Sequence, residues 1–170
     1  MCSIPNREVR QEWLNALASL DDYTITNQII NNSKQLLQKT LEEDAKAVEE
    51  ALDVSHIHVT SNRSYNNEDA LQSAIYLAYI YALNKYTVVR EMTAGKGFAD
   101  VVFIPRDNED PALIIELKRN KTAESALDQI KDKRYFESLE LYKGKLLFVG
   151  INYDETSKKH SCMIEQFIKE

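Results

Sequence analysis

The chain has 170 residues, 44% of them apolar and 28% charged, with a net charge of −6, a composition that excludes a disordered chain and suits one globular domain or a domain with an arm. No apolar run reaches the roughly 18 residues of a membrane span, and the stretch Met1 to Asn6 lacks the basic-then-apolar pattern of a secretory leader. Two cysteines, Cys2 and Cys162, are too few for a disulfide framework or a thiolate zinc cage, so a reducing, cytoplasmic setting without a membrane partner is expected.

In chain order, Pro5 and Asn6 open a helical pattern that keeps Val9, Trp13, Ala16, Leu17 and Leu20 on one stripe and ends at Asp21-Asp22. A second helix is expected from Ser33 to about Asp53, with Leu37, Leu41, Val48 and Leu52 inward and acids outside. Residues 1–60 thus read as a helical arm or connector. The polar, turn-prone stretch Ser61 to Asn67 marks a boundary, and residues 61–170 form the second unit. A third helix is expected over Glu68 to Asn84, after which the period changes. Tyr86 to Glu91 reads as a strand, Thr93 to Gly97 as a turn, and Ala99 to Ile104 as the next strand. Arg106 to Pro111 makes a second turn before the strand Ala112 to Lys118. A helix over Thr122 to Leu139, with Ala123, Leu127 and Ile130 inward, leads to the all-apolar strand Lys145 to Ile151; Cys162 to Ile168 adds an edge strand. The order is helix, three strands, helix, strand: an α/β chain.

Chemistry concentrates on two of these strands. Asp100 lies at the start of one, and Glu116-Leu117-Lys118 ends the other. Side chains alternate along a strand, so Glu116 and Lys118 share one face while Leu113, Ile115 and Leu117 share the other. Any one of these charges alone would be read as a solvated strand end. Their placement argues otherwise, because a carboxylate directly after Leu113-Ile114-Ile115 is costly to bury unless a cation compensates it. Asp100 and Glu116 would bind Mg²⁺ or Mn²⁺ through oxygen, and Lys118 would position a water or stabilise charge on a scissile phosphate.

At these residues the sequence resembles the PD-(D/E)XK nuclease superfamily, and within it a bacterial subgroup in which the domain follows a predicted AAA-ATPase-like domain. The likeness lies in Gly97-Phe98-Ala99-Asp100, in Ile115-Glu116-Leu117-Lys118, and in a helix bearing Gln129, Ile130, Lys133 and Tyr135. It covers roughly residues 61–151, and Ile4 to Val9 looks like the segment that follows the ATPase-like part. The proline of the superfamily's name is absent, since Ala99 precedes Asp100. The resemblance implies a restriction-endonuclease-like α-β-β-β-α-β core with a mixed central sheet, preceded by the helical arm. It implies a metal-dependent nuclease acting on nucleic acid, DNA for preference, with an ATPase-like domain as partner. Glu68 fits the superfamily's first-helix glutamate that reaches the metal; a helix N-terminal charge, with Asn66 or Asn67 as cap, accounts for it equally well. Gln129 matches a helix glutamine that supports the site.

Weaker features surround these. Lys121, Lys133 and Arg134 are candidate phosphate contacts, with a solvated helix face as the plain alternative. Tyr135 could stack on a base, though packing is the more ordinary role for a tyrosine. Glu91 ends its strand near Asp100. Gly95-Lys96-Gly97 suits a hairpin turn rather than a phosphate loop, and His56 with His58 lacks a third ligand nearby in sequence. Residues 1–84 hold 6 basic and 12 acidic residues, whereas residues 85–170 hold 15 of each, so the acidity belongs to the first half. That balance neither proves nor excludes nucleic acid; the apolar stripe of the acidic arm, which suits docking against another domain, supports a second function, a catalytically silent nuclease fold that binds nucleic acid or docks to an ATPase-like domain.

Overall fold

A computed structural model describes residues 23–59, 68–94, 97–107, 109–139, 142 and 144–168. The helix expected over the first twenty residues and the boundary at residues 61–67 lie outside them. The described elements are α1 (Tyr23–Leu41), α2 (Ala45–Val59), α3 (Glu68–Ala78), β1 (Tyr86–Ala94), β2 (Gly97–Pro105), β3 (Ala112–Arg119), α4 (Ala123–Asp132), β4 (Leu146–Asp154) and β5 (Lys159–Phe167). Short 3₁₀ turns occupy Ile80–Asn84 and Tyr135–Leu139. The fold is α/β, with one five-stranded mixed sheet in the order β1-β2-β3-β4-β5. Only β3 and β4 run parallel, because α4 is the crossover between them; the other neighbours are antiparallel. No helix among the described residues is long and apolar enough to cross a membrane.

The alternation of β3 divides the core as expected. Leu113, Ile115 and Leu117 join Val101, Phe103, Val149 and Ile151 on one face. That face is covered by Leu36 and Leu37 of α1, Val48 and Leu52 of α2, and Leu71, Ile75 and Ala78 of α3. The described part of the stretch expected to be an arm, residues 23–59, therefore packs apolar side chains into the sheet core. On the opposite face Val102, Ile114 and Phe148 pack against Leu127 and Ile130 of α4.

Three helices differ from their sequence-based bounds, each for a local reason. The expected single helix from Ser33 to Asp53 is two helices, of which the first already begins at Tyr23. Glu43 takes a left-handed φ of 59°, and Asp44 Oδ1 accepts the Ala47 N–H at 3.1 Å, so a new helix begins where the acidic triplet ends. The third helix stops at Ala78 instead of Asn84 because the Tyr81 N–H is diverted to Ser33 Oγ at 2.9 Å, and Ala82 N donates to Tyr79 O. The fourth ends at Asp132, seven residues early, where Arg134 adopts φ 54° and turns the chain toward Tyr135. The edge strand starts three residues earlier than expected, at Lys159.

The edge strand β5 is closed off by α2. Asp53 Oδ1 accepts the His160 N–H at 2.9 Å, and Glu49 Oε1 accepts the Cys162 N–H at 2.8 Å. Carboxylates from the acidic half of the chain thus satisfy amides that an edge strand would otherwise leave open.

Candidate active site

Asp100 and Glu116 come from the antiparallel neighbours β2 and β3. Their ladder runs from Phe103↔Leu113 to Val101↔Ile115 and stops there. Beyond that point Asp100 replaces the lost ladder acceptor, its Oδ2 taking the Leu117 N–H at 2.8 Å. The carboxylate is thereby fixed against the strand that carries Glu116. Glu116 itself is buried, 2% exposed, in mid-strand.

Lys118 follows on the same face. Its Nζ donates to Glu116 Oε1 at 2.8 Å and to Gln129 Oε1 at 2.6 Å. Gln129, from α4, donates its Nε2 to Glu116 Oε1 and to Tyr135 Oη, the latter at 3.0 Å. The close seating of α4 makes this reach feasible. Gly150 stands opposite Glu116 in the β3–β4 register, and a Cβ there would lie 2.3 Å from the Ala123 carbonyl oxygen. Thr122 and Ser125 cap the same helix reciprocally. Asn152, opposite Lys118, is buried and accepts the Lys121 N–H at 2.8 Å, which holds the loop between β3 and α4.

The electrostatics single out Glu116. Burial, and next the nearby Asp100 charge, push its carboxyl up to about 7, against the opposing influence of Lys118. Its Oε2 is buried with no hydrogen-bond partner among the described residues. A buried carboxylate oxygen without a donor is a costly feature that a cation would relieve. Two carboxylates, completed by water, are a donor set that suits a small hard cation such as Mg²⁺ or Mn²⁺. Among the described residues no group of three His, Cys, Asp or Glu side chains is placed to hold a metal ion.

The structure brings Asp100, Glu116, Lys118 and Gln129 together. Tyr135 joins them in the packing role rather than as the weaker candidate nucleic-acid contact: its ring is buried, 2% exposed, and its hydroxyl holds Gln129. That burial leaves no face for a base, so stacking on nucleic acid is corrected to a supporting role. Glu68 opens α3, one turn before Gln72, and its side chain lies outside the described residues, as do those of Glu91, His56 and His58. Lys121, Lys133 and Arg134 are exposed, and Arg134 Nε pairs with Glu137 at 2.9 Å.

Sequence reading missed four residues. Gln72 is buried and donates its Nε2 to the Asp100 carbonyl at 3.1 Å, while Arg90 donates to its Oε1. Gly150 and Asn152 are the others. Only the last two left a signal, as non-apolar interruptions of the Leu146–Asp154 run.

The family model of the PD-(D/E)XK nuclease superfamily matches residues 66–162, more than half of the chain. A crystal structure of a repair endonuclease from Pyrococcus abyssi is similar at 22% identity and a TM-score of 0.35, covering 54% of this chain. The chain spans 39% of that protein's length. Curated proteins give no match.

Proposed function

The chain belongs to the PD-(D/E)XK nuclease superfamily, and from that premise we propose that it is a metal-dependent nuclease that hydrolyses phosphodiester bonds, DNA being the preferred substrate. The observation that carries this reading is Glu116: a buried carboxylate, held beside Asp100 and Lys118, with one oxygen that has no donor among the described residues. Asp100 and Glu116 are the residues that would hold Mg²⁺ or Mn²⁺, with Glu68 as a candidate third ligand from α3. When bound, the cation supplies Lewis-acid polarisation of the phosphate and lowers the pKa of a water.

The remaining roles fall to the protein. An ammonium has three N–H donors, and Lys118 engages Glu116 and Gln129, which leaves one donor for a substrate oxygen or the attacking water. Gln129, steadied by Tyr135, sets the direction of that ammonium. Burial of Glu116 keeps bulk water from screening the charges that develop on the phosphate. Lys121, Lys133 and Arg134 are candidate contacts to flanking phosphates.

Mg²⁺-dependent cleavage of DNA by the purified protein tests the reading. Asp100→Ala and Lys118→Ala are expected to lower the rate at least about a hundredfold while thermal unfolding stays cooperative. Undiminished cleavage by both variants overturns it. A second reading, a silent nuclease fold that binds nucleic acid or docks to an ATPase-like domain, is favoured by the tie of Lys118 to Glu116 and Gln129. Saturable Mn²⁺ binding by a protein that cuts neither DNA nor RNA would select that alternative.

A further inference from the structure

Arg90 stands on β1 directly opposite Val101 of β2, one position from Asp100, and so on the sheet face that α3 covers, whereas Glu116 and Lys118 share the α4 face. Its guanidinium donates to Gln72 Oε1 and sits 5.8 Å from the centroid of the Tyr76 ring. Gln72 in turn holds the Asp100 carbonyl. Gln72 is buried, so one side chain rigidly joins the cation on β1 to the backbone of a candidate metal ligand on β2.

The partners of Arg90 differ in kind from those of the other well-placed arginines. Arg119 pairs with Glu155 and Arg134 with Glu137. Arg90 is exposed and meets an amide oxygen and an aromatic ring, with no carboxylate in ion-pair range among the described residues. Those contacts orient the guanidinium, and no described carboxylate compensates its charge. A guanidinium has five N–H donors in a flat fork, so one held at one edge still presents another to a tetrahedral anion. An aromatic ring under the cation restrains it without neutralising it.

We propose that Arg90 is a phosphate contact for the bound nucleic acid on the α3 side of the sheet, tied by Gln72 to the backbone of Asp100. The inference rests on the nuclease reading and adds a substrate-binding residue to it. It assigns Gln72 a positioning role, because a phosphate gripped by Arg90 is registered against Asp100 through this one side chain.

Binding of labelled mixed-sequence DNA and RNA oligonucleotides to the full chain in EDTA, across a salt series, tests the contact. Arg90→Gln keeps an amide donor for Gln72 and removes the charge, whereas Arg90→Ala removes both. Loss of one phosphate contact on duplex lowers the salt slope by about 0.9, which corresponds to about eightfold weaker binding at 0.1 M salt. Both variants are expected to lose this much on the preferred nucleic acid, with the Mn²⁺-induced rise in Tm unchanged. Wild-type affinity and slope in either variant overturns the proposal, as does a failure of the wild type to bind any of the oligonucleotides. If the wild type cuts and the variants bind normally, the phosphate contact fails and the nuclease reading stands. If binding depends on Arg90 but nothing is cut, the contact stands and the nuclease reading fails.

Discussion

The carboxylates of α2 and the carboxylate of β3 are withdrawn from water in opposite ways. Asp53 accepts from the His160 backbone and from Lys159, and its Oδ1 lies 2.9 Å from His160 Nδ1. Despite partial burial, which raises it, those bonds hold its carboxyl below the usual value of 3.8. Glu116 has Lys118 and Gln129 on one oxygen and, among the described residues, no donor on the other, and its carboxyl is pushed up to about 7. The first acid is part of how the edge strand is closed. The second weakens the fold that contains it, as expected of a group kept for chemistry rather than for stability.

The two regions should therefore respond to pH and mutation with opposite signs. The raised Glu116 pKa means that its contribution to stability is full below 4.5 and is lost as pH rises through about 7. Across that window the loss is about 3 kcal/mol. Metal-free Glu116→Gln protein should lack this component, so the difference between wild type and variant in urea denaturation should grow from pH 4.5 to pH 8. A difference that stays constant across that range would mean that Glu116 is not strained. A smaller effect of the reverse kind belongs to Asp53, whose contribution is full above 3.8 and is lost as pH falls through its lowered pKa. At pH 7, Asp53→Asn should destabilise by about 2 kcal/mol, the range for hydrogen bonds to a charged group, with little of it from Lys159, which is largely exposed. The same urea titration measures it, and a change below about 0.5 kcal/mol, ordinary for a surface substitution, would place Asp53 with incidental surface charges. Cleavage per folded molecule should not change in that variant.

How much of this was legible in the chain depended on whether a feature was decided locally. The β3 strand is a β-branched run with a simple alternation, so its faces, and the common side of Glu116 and Lys118, follow from the pleat. Gln129 was reached through its place in a resembling motif, and its contact with Lys118 agrees with that placement. Helix ends were read less well because distant partners decide them. Ser33 takes the Tyr81 N–H across 48 residues, and no window around Ala78 contains that information. Gln72 was missed for the same reason: its partners are 28 and 18 residues away, and an isolated glutamine on an amphipathic helix reads as solvated. The acidity of the first half misled in part, since Glu49 and Asp53 look like an outer face until β5 is seen against them.

The central claim is that Asp100 and Glu116 jointly hold one divalent cation. Titration of the metal-free protein with Mn²⁺, followed by electron paramagnetic resonance of the free ion, tests it most directly. The account predicts one saturable site per chain in the wild type and its disappearance in both Asp100→Ala and Glu116→Gln. Unaltered Mn²⁺ uptake by those two variants, or none by the wild type, would contradict it.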